Sequence, residues 1–129
     1  MTFSTTDLGT DFLAAGQRVI RREAEALGIL ADHLGPSFAQ AAEVIMAAQG
    51  RVIVSGMGKS GHVARKIAAT LASTGTPAHF VHPGEASHGD LGMLTKGDVA
   101  LVLSNSGETV ELADIIAHTR RFGIPLIAV

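Results

Sequence analysis

Two loops rich in glycine and hydroxyl residues each follow a short apolar run and precede an amphipathic segment. The first is VIVSGMGKSGH, residues 52–62, and the second is ALVLSNSGET, residues 100–109. A strand-to-helix loop presents the unpaired N–H groups of the helix and the positive end of its dipole, and glycine lets an anion come close to them. The pattern predicts a phosphate-binding site.

The two loops offer hydroxyl groups and little positive charge. Lys59 is their only lysine or arginine, and so few cations indicate a small ligand rather than a polyanion. Five hydroxyl side chains could hydrogen-bond a terminal phosphate: Ser55, Ser60, Ser104, Ser106 and Thr109. Glycine, serine and asparagine are also ordinary turn and N-cap residues, so either loop alone could be a plain connection.

The first loop also reads GMGKSG, which matches the G-x-G-x-x-G pattern of dinucleotide-binding proteins. Such a site needs an acidic residue at the end of the second strand to bind the ribose, but Val81, His82 and Pro83 stand there. A mononucleotide P-loop would need its leading glycine at position 53, which is Ile53. A dinucleotide site and a mononucleotide site are therefore weaker alternatives to a site for another small phosphorylated ligand.

A polar, glycine-spaced segment, PGEASHGDLGM, occupies residues 83–93 and is predicted to be a loop. His88 lies in it, flanked by Glu85 and Asp90. An imidazole can move protons near neutral pH, so His88 is a candidate acid or base. The competing interpretation is a solvent-exposed loop histidine or a capping contact.

Periodicity and glycine or proline stops indicate the elements that position these residues. The predicted helices are 7–34, 36–50, 60–73 and 109–122, and the predicted strands are 51–55, 78–82, 99–104 and 126–129. Strands that alternate with helices predict an α/β fold with a parallel sheet in three α/β/α layers. Both glycine loops would then emerge at the carboxyl edge of the sheet, where open α/β sheets bind ligands.

Composition narrows the function classes. At 129 residues and 47% hydrophobic residues, the chain is predicted to be one globular domain. A net charge of −2, with no basic cluster beyond three arginines at 18–22, argues against a nucleic-acid partner. The sequence has no cysteine, signal peptide or transmembrane-length run, so we expect a cytoplasmic protein with no disulfide and no membrane partner.

The remaining histidines raise the question of a metal. His62 follows the first loop, and His79 and His82 bracket a predicted strand, so each could simply cap, pack or face solvent. His82 and His88 together could bind zinc, but two imidazoles without fixed geometry are weak evidence for a metal site. We therefore predict no metal.

The segment from GMGKSGH through HPGEASHGDLGML to LSNSGETVEL resembles the sugar isomerase (SIS) domain, and within it the D-arabinose 5-phosphate isomerases. SNSGET is similar to the phosphate loop of SIS domains in general, whereas GMGKSGH with HPGEASHGD is typical of the arabinose-phosphate group. The resemblance covers residues 52–129, with helices at 7–50 ahead of the sugar-phosphate core.

The resemblance implies roles for particular residues. It places the functional lysine, histidine and glutamate at Lys59, His88 and Glu111. It places the phosphate-binding groups at Ser55, Gly58, Ser60, Ser104, Asn105, Ser106, Gly107 and Thr109. The implied reaction interconverts ribulose 5-phosphate and arabinose 5-phosphate through an enediol, with a phosphorylated pentose as substrate and no cofactor.

The resemblance also predicts features beyond this site. SIS domains typically associate, so we expect a homo-oligomer, a dimer or a tetramer. The family's domain continues past residue 129, and its later functional glutamate and histidine have no counterpart here, so we expect a chain truncated at its C-terminus. Many relatives also carry CBS domains downstream, and we expect none in these 129 residues. A non-catalytic sugar-phosphate-binding regulator and an isomerase of another phosphosugar remain the alternatives.

Overall fold

The computed structural model describes residues 5–129, with side chains from residue 11 onward. The chain divides after Ala39 into two compact units. Helix α1 spans Thr5–His33 and helix α2 spans Pro36–Met46. Pro36 is the first residue of α2, a position where its fixed φ suits a helix and its missing N–H needs no partner. The structure confirms both predicted helices, although α2 ends before the predicted stop at Gly50.

Four parallel strands form one sheet. They are β1 (Val52–Gly56), β2 (Ala78–Phe80), β3 (Val99–Leu103) and β4 (Leu126–Ala128), arranged in the order β2-β1-β3-β4. Every residue of β1 and β3 is buried, as expected for central strands of a parallel sheet covered on both faces. The sequence predicted all four strands to within two residues at either end.

Helices cover both faces of this sheet. Helix α3 (Gly58–Ser73) packs its Ala64 and Ala68 against Val52 and Val54 on one face. On the other face lie α4 (Pro83–Ser87) and α5 (Ala113–Phe122), whose buried side chains form a second cluster with the sheet. The predicted three-layer α/β/α arrangement is confirmed.

Residues 83–93, predicted to be a loop, instead contain helix α4 and a 3-10 turn, Asp90–Met93. The prediction failed because one helical turn is too short to show a periodic apolar pattern. Its start is fixed by Pro83 in the first turn and by the His82 ring, which accepts a hydrogen bond from the Gly84 N–H at 3.0 Å. Similarly, the predicted helix from Thr109 begins as a 3-10 turn, Val110–Leu112, before α5.

The amino ends of β1 and β3 are tied together by Asp98, a carboxylate only 2% exposed. It accepts hydrogen bonds from the N–H of Arg51 at 2.7 Å and of Thr95 at 2.9 Å, and pairs with the Arg51 guanidinium at 3.4 Å. Burial alone would raise the pKa of Asp98, but these hydrogen bonds and the nearby positive charge hold that pKa below the ordinary 3.8.

No helix within residues 5–129 combines the length and apolar character needed to cross a membrane.

Candidate functional site

The two glycine loops leave the sheet at the same place. Gly56 at the end of β1 pairs with Leu103 at the end of β3 in a parallel register. The chain beyond each strand therefore emerges at one carboxyl edge, side by side, as the sequence predicted. This edge brings together the candidate residues of both loops.

The loop over residues 104–109 is organised by its own hydroxyl groups. Ser104 Oγ lies 2.7 Å from Thr109 Oγ1 and accepts a hydrogen bond from the Gly107 N–H at 3.0 Å. Ser106 Oγ accepts from the Glu108 N–H at 3.1 Å. Gly107 has a φ of +71°, which favours glycine. The loop is thus folded into a compact turn, with Asn105 and Ser106 exposed.

A cavity of about 200 Å³ lies beneath this loop. Ser104 and Thr109 line it on the polar side, and the other lining residues are mainly apolar ones from β3, β4 and α5. The hydroxyls of both residues are only partly buried, so they are near both the cavity and the surface. This placement suits groups that hold one end of a small ligand.

The first loop turns directly into helix α3. Gly58 begins the helix with a φ of +54°, and the next residues, Lys59 and Ser60, lie in its first turn. A Cβ added to Gly61 would stand 2.6 Å from the Gly56 carbonyl oxygen, so only glycine lets the helix start this close to the strand. Lys59 is exposed and Ser60 is half-buried, which keeps both available at the carboxyl edge.

Ser55 is placed differently from the sequence expectation. It is 1% exposed, and its hydroxyl donates a hydrogen bond to the Val81 carbonyl at 2.6 Å. A phosphate at the loop surface cannot reach this buried hydroxyl, whose one hydrogen is already donated to the Val81 carbonyl. We therefore leave Ser55 out of the proposed phosphate-binding set.

His88 and Glu111 lie on elements that pack against each other. His88 is the C-cap of α4, and Glu111 lies in the 3-10 turn that precedes α5. Ala86 of α4 and Leu112 of that turn belong to the same buried cluster, and the two elements are in contact. Both candidate side chains are exposed.

Among the described side chains, Lys59, His88 and Glu111 make no hydrogen bond or ion pair with another protein group. Within residues 11–129 the one ion pair joins Arg51 and Asp98, and no side-chain hydrogen bond in that range involves Lys59, His88 or Glu111. Across the same residues, no three histidine, aspartate or glutamate side chains cluster in a way that could hold a metal ion.

A second cleft, of about 140 Å³, borders the first loop on its β2 side. His62, Arg65, Phe80 and His82 line it together with loop glycines, while His79 is exposed on β2. The Arg65 guanidinium stacks 4.0 Å above the Phe80 ring. Sequence reasoning missed Arg65 as a cation at this edge. The available signal was its position one helical turn after Gly61, on the same face of α3.

Comparisons with known proteins agree with this architecture. KdsD of Pseudomonas aeruginosa, an arabinose 5-phosphate isomerase, is 56% identical over 118 residues, which cover 92% of this chain and 36% of that protein. KdsD of Escherichia coli K12 is 50% identical over 121 residues, covering 94% and 37%. The chain therefore spans little more than a third of the length of these curated relatives.

Among solved structures, a protein of Escherichia coli CFT073 in complex with arabinose 5-phosphate superposes with a TM-score of 0.85 at 42% identity. The match covers 98% of this chain and 65% of that one. The family model of the SIS domain matches residues 45–129, which include the whole sheet and both loops. The chain belongs to the SIS domain family.

Proposed function

We propose that the protein is an aldose-ketose isomerase that interconverts D-ribulose 5-phosphate and D-arabinose 5-phosphate, feeding 3-deoxy-manno-octulosonate and lipopolysaccharide biosynthesis. One observation carries the proposal. A hydroxyl-rich loop, Lys59 and the packed elements that bear His88 and Glu111 all lie at the same edge of the sheet. The names of the curated relatives and the arabinose 5-phosphate bound to the solved neighbour support this choice of substrate.

The 104–109 loop is the proposed anchor for the phosphate. Its backbone N–H groups and the hydroxyls of Ser104, Ser106 and Thr109 supply donors, and Asn105 adds an exposed amide. Gly58 and Ser60 contribute from the start of α3, a helix of 16 residues whose N-terminus attracts an anion. The phosphate would displace the hydrogen bond between the Ser104 and Thr109 hydroxyls.

The proposed chemistry is a proton transfer between two neighbouring carbons. A base removes the proton from C2 of the aldose, an enediol forms, and a proton is delivered to C1 while the hydroxyl proton moves from O2 to O1. Glu111 and His88 are the proposed acid-base groups, and Lys59 stabilises the charge of the enediolate. No electrons leave or enter the substrate, so the reaction needs no redox cofactor.

The proposal extends to location and assembly. A charged phosphopentose does not cross a bilayer, so the enzyme must share the compartment that makes its substrate, which we take to be the cytoplasm. We also propose a homo-oligomer, because α1 displays large apolar side chains to solvent, including Ile20 and Leu27.

Solvent exchange tests the proposed reaction. The complete gene product, incubated with arabinose 5-phosphate in heavy water, should form ribulose 5-phosphate and incorporate deuterium at C2 of the aldose. NMR and mass spectrometry follow both events. Phosphopentose binding without any exchange would instead favour the regulatory alternative, and exchange only with another phosphosugar would favour a different isomerase.

A further inference from the structure

Ser55 is the one hydroxyl residue in the buried strand β1, whose sequence is VIVSG. A buried hydroxyl is costly unless it is hydrogen-bonded, and this one donates to the Val81 carbonyl at 2.6 Å, across 26 residues of sequence. The contact joins β1 to the segment after β2. The position of the hydroxyl is therefore set by the fold of both segments.

Val81 lies just beyond the last residue of β2, yet it is bound to β1 through both of its backbone polar groups. Its N–H donates to the Val54 carbonyl at 2.9 Å, and its carbonyl accepts from Ser55. The Ser55 hydroxyl thus extends the attachment of this segment by one hydrogen bond after the regular strand pairing ends at Phe80.

The short helix α4 begins two residues after Val81 and leads to His88. The His82 ring caps α4, and the His82 backbone carbonyl accepts a hydrogen bond from the Ala86 N–H at 2.9 Å. Ala86 is buried in the core, and the His88 N–H closes the helix on the Glu85 carbonyl at 3.0 Å. A helix of five residues does not hold its own orientation, so the placement of its ends decides where His88 lies.

We propose that Ser55 is a positioning residue for His88: by fixing the Val81 carbonyl, its hydroxyl sets the start of α4 and so the place of the His88 ring at the carboxyl edge. This inference rests on the proposed isomerase function. It predicts that loss of the hydroxyl lowers turnover and leaves phosphate binding intact, since the Ser55 hydroxyl bonds to Val81 and the described hydrogen bonds of the 104–109 loop do not include it.

The test compares Ser55→Ala with Thr119→Val in the complete gene product. Thr119 is likewise 1% exposed and donates its hydroxyl to a backbone carbonyl, that of Ile116, but does so inside α5. Ser55→Ala should lower kcat roughly tenfold, the scale expected when a catalytic group shifts by a fraction of an ångström. KM and the inhibition constant of inorganic phosphate should stay within twofold, and Thr119→Val should keep wild-type kcat.

Ser55→Thr, which retains the hydroxyl, should recover most of the lost kcat even where its added methyl lowers the melting temperature. A kcat within twofold of wild type in Ser55→Ala would overturn the proposal. So would a parallel loss of phosphate inhibition, which would make Ser55 a phosphate ligand. Equal losses of kcat in Ser55→Ala and Thr119→Val would also overturn it, because they would show that Ser55 only stabilises the fold.

A readout independent of activity separates this inference from the isomerase assignment. In NMR spectra of the histidine rings, the His88 resonances should move in Ser55→Ala and stay unchanged in Thr119→Val. If the wild-type protein shows no isomerase activity but His88 still moves, the proposed function fails and the positioning role stands. If His88 does not move, the positioning role fails, whatever the activity.

Discussion

At the scale of single residues, the hydroxyls of the 104–109 loop hold the loop in shape, and in the proposed function they also bind the phosphate. Ser104 bonds to Thr109 and to the Gly107 N–H, and Ser106 bonds to the Glu108 N–H. These bonds shape the loop before any ligand arrives, which reduces the ordering that binding requires. In the proposed function, a phosphate would bind to a loop whose shape is already set.

Replacing Ser104 and Ser106 together with alanine should therefore weaken binding of arabinose 5-phosphate by several kcal/mol, because each hydrogen bond to a charged group contributes about 1.5–3 kcal/mol. Isothermal titration calorimetry measures this loss. Ser73→Ala is the matched control, since Ser73 donates only to the Thr70 carbonyl near the far end of α3. Unchanged affinity in the double variant would contradict the phosphate assignment.

Asp98 gives a prediction about pH. Its pKa is lowered in the folded state from the ordinary 3.8, so its stabilising contribution is full above that ordinary value and is lost as pH falls through the lower folded pKa. Asp98→Asn should lower the free energy of unfolding at pH 7 by about 2–4 kcal/mol, because the charge is lost and an amide NH2 replaces one carboxylate oxygen, so the donors that face that oxygen lose their acceptor.

Urea titrations across pH measure this effect. The gap between wild type and Asp98→Asn should narrow as the pH drops below 4. A gap that stays constant down to pH 2 would show that the charge of Asp98 contributes nothing.

At the scale of elements, the sequence predicted the strands well and the short helix badly. Buried parallel strands appear in a sequence as short apolar runs rich in β-branched residues and leucine, such as residues 52–54 and 99–103. The polar and glycine residues around these runs mark where each strand begins and ends. Helix α4 has no such signal because its position comes from His82, Pro83 and buried Ala86 acting together. The hydrogen bond of Ser55 and that of Asp98 to Arg51 join residues 26 and 47 apart, distances over which local pattern carries no information.

For the candidate site, the sequence predicted where the loops meet but not how individual side chains are oriented. The two loops and their shared edge follow from the strand-loop-helix pattern and parallel topology. The direction of the Ser55 side chain does not, because a serine near a strand end can face the loop or the core, and only the packed position of Val81 decides between them. Arg65 was missed because its neighbour Phe80 lies on another element.

Gly61 offers a test of how α3 is docked. A Cβ at this position would lie 2.6 Å from the Gly56 carbonyl oxygen, a backbone atom with little freedom to move. Gly61→Ala should cost about 1–3 kcal/mol of stability, the usual range for overpacking. The control, Gly28→Ala in α1, meets nothing within 4 Å and should stabilise by about 0.5–1 kcal/mol. Thermal unfolding should show a lower melting temperature for Gly61→Ala and a higher one for Gly28→Ala than for the wild type.

At the scale of the whole molecule, association is the first expectation. Ile20 and Leu27 of α1 are 68% and 66% exposed, and large apolar side chains left on the surface favour contact with a partner copy. Light scattering over a wide concentration range should show at least a dimer. Ile20→Glu with Leu27→Glu should shift it towards monomer, while Val63→Glu on α3 should not. A monomer at every concentration would contradict the expectation.

Catalysis, in the proposed mechanism, depends on side chains from three separate elements: Lys59 on α3, His88 at the end of α4, and Glu111 before α5. In the complete gene product, Lys59→Ala, His88→Ala and Glu111→Gln should each lower kcat by roughly 10²-fold or more, the scale of lost acid-base or charge stabilisation.

Binding of arabinose 5-phosphate should survive in all three variants, because its proposed anchor is the 104–109 loop. Lys66→Ala and Glu85→Gln are matched controls, since both side chains are exposed on the same helices as Lys59 and His88 and have no proposed role. Turnover and calorimetry together separate the two functions. Wild-type exchange in all three catalytic variants would show that the proton is moved by other groups, whereas equal losses of turnover and affinity would place these residues in binding rather than in proton transfer.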